Sequence, residues 1–159
     1  MTLPMALYVV ARVLHILAGV FWVGAIFFLV RFLAPAVGRV PGGPGVMQAL
    51  NTQTRFPAAI GGAAGLTMLS GLILYGVDSR GFQGAWILSP TGLTFTLGAL
   101  AAIGAAIAWI AIGRPAVERL PFAKDAERAA LQRRAARGSG SASALLALAV
   151  IAMAAARYV

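Results

Sequence analysis

Four long apolar segments alternate with polar, charged connections along the chain. The first segment lies between Arg12 and Arg31 and is interrupted only by His15. The other three lie within residues 57–77, 80–114 and 137–157. Each segment approaches the length of about 20 residues that a helix needs to cross the hydrocarbon core of a bilayer, and β-barrel alternation is absent. The pattern predicts an all-α fold, an integral membrane four-helix bundle that forms one domain over residues 1–159.

Local signals set the predicted helix boundaries. The membrane-spanning helices are expected at about residues 5–34, 57–77, 91–113 and 139–157. Ser89-Pro90 is a helix-start signal for the third of them. Residues 138–143, which read Gly-Ser-Gly-Ser-Ala-Ser, are predicted to open the fourth. Before this opening, the charged residues 122–137 are predicted to form a separate helix on the cytoplasmic surface.

The composition agrees with a membrane protein and removes several kinds of chemistry. Hydrophobic residues make up 60% of the 159 positions and charged residues 11%, against about 25% charged residues in a typical soluble domain. The chain has no cysteine, so disulfides, iron–sulfur clusters and thiolate metal sites are excluded. One histidine and four acidic residues leave no multi-histidine metal site and few places for a carboxylate pair.

The charge distribution predicts how the bundle is oriented. The net charge is +9, but the basic residues punctuate apolar segments, so the expected partner is the lipid bilayer and not nucleic acid. Ten of the 13 Lys and Arg residues fall in or beside the first and third connections. The positive-inside rule then places both termini outside the cytoplasm, in a multi-pass membrane protein. The basic connections are chiefly a topology signal, with binding of anionic lipid as an additional role.

His15 is the single histidine of the chain and lies inside a predicted span, where ionisable groups are costly and often functional. Arg12, Gly19 and Trp22 share its helix face. This set is typical of a haem site: His15 as the iron ligand, Gly19 leaving room for the macrocycle, Trp22 packing on it and Arg12 meeting a propionate. The alternatives are open. His15 can instead bond a neighbouring helix, Arg12 can mark the membrane boundary, and Trp22 can be a core residue.

A haem on His15 raises the question of the second axial ligand. Met153 on the fourth helix and Met68 on the second are predicted at comparable depths, and either could complete a His/Met haem. Both residues can equally be flexible core filler. A five-coordinate iron, or two copies of His15 in a homodimer, are the other options.

The first helix also resembles a known pattern. The residues from His15 through Trp22 to Gly24, followed by Phe27 to Arg31, resemble the opening helix of the bacterial membrane protoporphyrinogen IX oxidase family. The membrane domain of the copper-resistance D family is similar. The shared spacing is a histidine, a tryptophan seven residues later and an arginine nine residues after that. Residues 65–71 and 92–95 are similar in placement to segments of the second and third helices of that family, with weaker specificity.

The resemblance implies a b-type haem held by His15. It maps the family's arginine to Arg31, which the predicted topology places at the cytoplasmic face. The third helix has Gly92 and Pro90 where that family carries a lysine and a histidine, which argues against the oxidase reaction while leaving haem binding in place.

The leading hypothesis is therefore a membrane b-type cytochrome that moves electrons between a haem and a quinone or redox partner. A protoporphyrinogen IX oxidase-like enzyme is the second hypothesis. A non-catalytic membrane subunit with a packed histidine is the third, and the sequence leaves open whether the chain is an enzyme.

Overall fold

The computed structural model describes residues 4–159, without the side chains of residues 121 and 125. Over this part of the chain it has six helices: α1 (Met5–Val37), α2 (Gly43–Thr52), α3 (Phe56–Asp78), α4 (Gly84–Ile87), α5 (Pro90–Arg119) and α6 (Asp125–Ala155). The helices α1, α3, α5 and α6 are each long and apolar enough to cross a membrane. The predicted all-α architecture with four spanning helices is confirmed, and it is the architecture of a multi-pass membrane protein.

The start of α5 follows the predicted signal. The Ser89 hydroxyl oxygen accepts a hydrogen bond of 3.1 Å from the backbone N–H of Gly92, and Pro90 occupies the first helical position. A proline fits there because the first N–H groups of a helix have no partner within the helix.

Both α1 and α5 widen into a single π-helical turn, at Leu29–Leu33 and Trp109–Gly113. Each turn lies two residues before a proline, Pro35 in α1 and Pro115 in α5. Proline lacks an N–H and clashes with the carbonyl four residues earlier, and the wider turn accommodates both problems. The helices therefore continue to Val37 and Arg119, beyond the ends predicted at about residues 34 and 113.

The predicted surface helix over residues 122–137 and the predicted fourth span are one continuous helix, α6. The Gly-Ser-rich residues 138–143 do not break it. Gly138 lies against the backbone of Gly113 on α5, and Ala142 and Ser143 are buried. The Ser139 hydroxyl donates to the carbonyl of Ala135 at 2.9 Å, inside the same helix. The small residues that suggested a break serve close packing between helices.

The four long helices pack as two antiparallel pairs, α1 with α3 and α5 with α6. The pairs meet at a central cluster of buried residues from α1, α5 and α6, against which α3 packs: Trp22, Ile26, Ala105, Ala142 and Leu146. Large apolar side chains cover the outside of the bundle, with Leu17 64% exposed and Ile151 65% exposed. A surface of this kind suits contact with lipid chains.

The start of α1 and the C-terminal residues lie at one end of the bundle, called here the terminal end. The hydroxyl of Thr91, at the start of α5, donates to the carbonyl of Val159 at 2.7 Å. Tyr8, near the start of α1, donates to the carboxylate of Asp78 at the end of α3 at 3.1 Å. The opposite end, called the basic end, carries the connections with the ten basic residues.

Candidate functional site

Polar groups join α1 and α3 along their shared interface. The antiparallel register places Tyr8 opposite Asp78, His15 opposite Gly71, and Gly19 opposite Thr67. His15 is half-buried there, two turns of helix from Tyr8 and further from the terminal end. The α1–α3 interface thus holds His15, the predicted haem ligand, between two helices whose remaining surface is almost entirely apolar.

The His15 ring is held by one of its two nitrogens. Nδ1 lies 2.8 Å from the backbone carbonyl oxygen of Thr67, and the Ser70 hydroxyl oxygen lies 3.5 Å from the same nitrogen. A carbonyl can only accept, so Nδ1 carries the proton. In a neutral imidazole Nε2 is then the nitrogen with a free lone pair. Metal-ligating histidines almost always have this arrangement, with the other ring nitrogen donating to a carbonyl, carboxylate or water.

Gly71 makes this hydrogen bond accessible. In a helix the side chain of a residue covers the carbonyl one turn before it, so the missing side chain at Gly71 exposes the carbonyl of Thr67. A Cβ atom placed on Gly71 would lie 2.8 Å from Cε1 and 3.1 Å from Nδ1 of His15. The ring therefore occupies the space that any other residue would fill.

Gly71→Ala is expected to push the His15 ring away from Thr67. The lost hydrogen bond and the overpacking together should lower the free energy of unfolding by about 2 kcal/mol. Gly65→Ala is the matched control, since it changes a glycine of the same helix at which a Cβ would meet nothing within 4 Å. Unfolding of both variants in detergent measures the difference. Equal midpoints would contradict the close contact between His15 and Gly71.

The hydroxyls of α3 that face α1 are already satisfied within their own helix. Thr67 Oγ1 donates to the carbonyl of Ala63 at 2.7 Å, and Ser70 Oγ donates to the carbonyl of Leu66. The main-chain carbonyl of Thr67, and not its side chain, thus carries the contact to His15.

The other three residues predicted to contact haem are Arg12, Gly19 and Trp22, and each lies in a different environment. Arg12 is exposed and lies about one turn from His15 toward the terminal end. Gly19 faces α3: a Cβ there would lie 3.5 Å from Thr67 Cγ2, in ordinary contact. The flat gap expected beside Gly19 is therefore taken up by Thr67. Trp22 is 5% exposed and belongs to the central core cluster.

The two predicted methionine ligands pack against other parts of the bundle. A Cβ on Gly98 of α5 would meet Met153 Cε at 3.1 Å, so the Met153 side chain lies between α5 and α6. Met68 packs against the cluster that contains Trp22. Both residues have the surroundings of core filler.

Sequence reasoning missed the residues of α3 that surround the imidazole: Thr67, Ser70 and Gly71. Their spacing of three and four residues places them on one helix face. A threonine, a serine and a glycine on one face of an apolar helix was the available signal, but only the register of α3 against α1 assigns that face to His15.

Among the described residues, no three His, Cys, Asp or Glu side chains come close enough together to hold a metal ion. Comparisons of the chain with protein-family models, with curated proteins and with solved structures found no match.

Proposed function

We propose that this chain is a membrane-embedded b-type haem protein in which Nε2 of His15 is an axial ligand. The observation that carries the proposal is the 2.8 Å contact between His15 Nδ1 and the Thr67 carbonyl oxygen, from which the tautomer follows. Nδ1 is committed to the Thr67 carbonyl, so the ring is oriented and Nε2 keeps its lone pair inside an apolar helix interface. The resemblance of the first helix to haem-binding membrane families points the same way.

The residues around His15 fit a haem with a single imidazole ligand from each chain. His15 is half-buried, and its Nε2 makes no hydrogen bond among the described residues. Exposed Arg12, about one turn nearer the terminal end, is suitably charged for a propionate. Met68 packs against the central cluster and Met153 lies between α5 and α6, so the proposal assigns the iron to His15, either one iron per chain or one shared by His15 of two chains. A bound haem would supply a one-electron redox couple at this interface.

The proposed setting is the bacterial inner membrane, with the terminal end outside and the basic end in the cytoplasm. The Tyr8–Asp78 contact and Arg12 then lie between His15 and the outer surface. A quinone or a redox protein at that surface is the proposed electron partner.

A reduced-minus-oxidised visible spectrum of the detergent-purified protein tests the proposal, together with a pyridine haemochrome assay of haem per chain. One haem per chain is the result expected for a five-coordinate site, and half a haem per chain is expected for a shared iron. Absence of haem after haem-supplemented expression would overturn the proposal.

The second candidate is a non-catalytic membrane subunit in which His15 only joins two helices. The 2.8 Å contact with Thr67 favours it as well, since an interhelical hydrogen bond stabilises a helix pair by itself. This candidate predicts a colourless protein, so the same spectrum separates the two.

A further inference from the structure

A recess at the basic end lies outside the His15 site. It has a volume of about 590 Å³ and lies between the π-helical turn of α5 and the first half of α6. Six residues line it: Ile112, Ala130, Arg133, Arg134, Arg137 and Ser141. Three of the six are arginines, and no lining residue is acidic.

Among the described side chains, no acid forms an ion pair with these arginines. Across the described side chains, the ion pair present is that of Arg114 with Glu118, at 2.7 Å. Glu118 is thus engaged outside the recess. Guanidinium groups without a carboxylate partner are well suited to bind phosphate, because their planar fork of N–H donors matches its oxygens.

The lining of the recess is partly cationic and partly apolar. The arginines lie at the start of the α6 segment predicted to cross the membrane, and Ser141 lies one turn further along the helix. Ile112 and Ala130 supply apolar surface. A ligand that matches both parts has an anionic head and an apolar tail, and the recess is larger than a single phosphate requires.

We propose that this recess binds the phosphate-bearing headgroup of an anionic phospholipid of the adjacent leaflet. The arginines contact the phosphate, and the acyl chains run along the apolar surface of α5 and α6. Basic pockets between transmembrane helices at the cytoplasmic side are known to hold anionic headgroups. The inference is independent of haem binding, because none of its residues lies near His15.

Binding of phosphatidylglycerol to the purified full chain in mixed detergent micelles provides the test. The variant carries Arg133→Gln, Arg134→Gln and Arg137→Gln, which keep helix propensity while removing charge. Its matched control carries Arg119→Gln, Lys124→Gln and Arg128→Gln, three exposed basic residues of the same end that do not line the recess. At about fivefold per charge, the first variant should bind about 100-fold more weakly. The control should lose about threefold or less.

A second variant separates shape from charge. Ala130→Trp fills the recess while every arginine remains, and it should also weaken the binding of phosphatidylglycerol while the far-ultraviolet circular dichroism is unchanged. Three results would overturn the proposal: equal losses in both triple variants, equal binding of zwitterionic phosphatidylcholine, or displacement of the lipid by an equal concentration of inorganic phosphate. The last result would identify a free anion as the occupant.

Discussion

Replacing His15 with alanine is expected to leave a folded protein that has lost its Soret absorbance. The chain contains a single histidine, so no second imidazole can take over the iron. The fold should survive, because the change removes one hydrogen bond worth about 1 kcal/mol from a bundle held mainly by helix packing. Haem per chain, measured by pyridine haemochrome, should fall from the wild-type value to background. Leu17→Ala is the control, since it changes a 64% exposed residue on the same helix.

His15→Asn separates ligation from helix pairing. The asparagine amide can still donate a hydrogen bond, but it does not replace imidazole as a haem ligand. This variant should keep more of the wild-type stability than His15→Ala and yet contain no haem. Retention of the wild-type spectrum in either variant would show that His15 is not the iron ligand.

Gly138→Ala is expected to cost more stability than Gly71→Ala. A Cβ at Gly138 would lie 2.5 Å from the Cα of Gly113 and still closer to its backbone nitrogen. Backbone atoms cannot rotate aside as a side chain can, so α5 and α6 must separate. The expected cost is about 3 kcal/mol, at the upper end of typical overpacking penalties.

Gly140→Ala is the matched control, two residues further along α6. A Cβ there meets nothing within 4 Å, so the change should stabilise the helix by up to about 1 kcal/mol. Unfolding of the two variants in detergent should therefore shift the midpoint in opposite directions. Equal shifts would contradict the close approach of α5 and α6 at Gly138 and Gly113.

The architecture could be predicted from the sequence because it depends on the lengths of uninterrupted apolar segments. Helix boundaries were harder, because they depend on neighbours. Pro35 and Pro115 would end many helices, but here each is preceded by a π-helical turn that lets the helix continue. Gly138 has a low helix propensity and suggests a helix break. Only its contact with Gly113 shows why α6 continues through it.

The site was predictable on one helix and not on the other. His15 stands out because an ionisable side chain in an apolar segment is rare. The opposing Thr67 and Gly71 act through a main-chain carbonyl and a missing side chain, and only the register of α3 against α1 assigns them to His15. The same limit applies to Gly19, whose empty space was predicted without knowing that Thr67 faces it.

The proposed iron ligation by His15 Nε2 requires one tautomer of the single histidine. Nitrogen-15 NMR of protein labelled only at histidine measures this tautomer. Because the chain has one histidine, the spectrum contains one pair of ring nitrogens. In haem-free protein at neutral pH, we expect a protonated Nδ1, hydrogen-bonded to the Thr67 carbonyl, and an Nε2 with a free lone pair. A ring protonated at Nε2 alone would contradict the proposed site. Nδ1 could then not donate to the Thr67 carbonyl, and Nε2 could not bind iron without losing its proton.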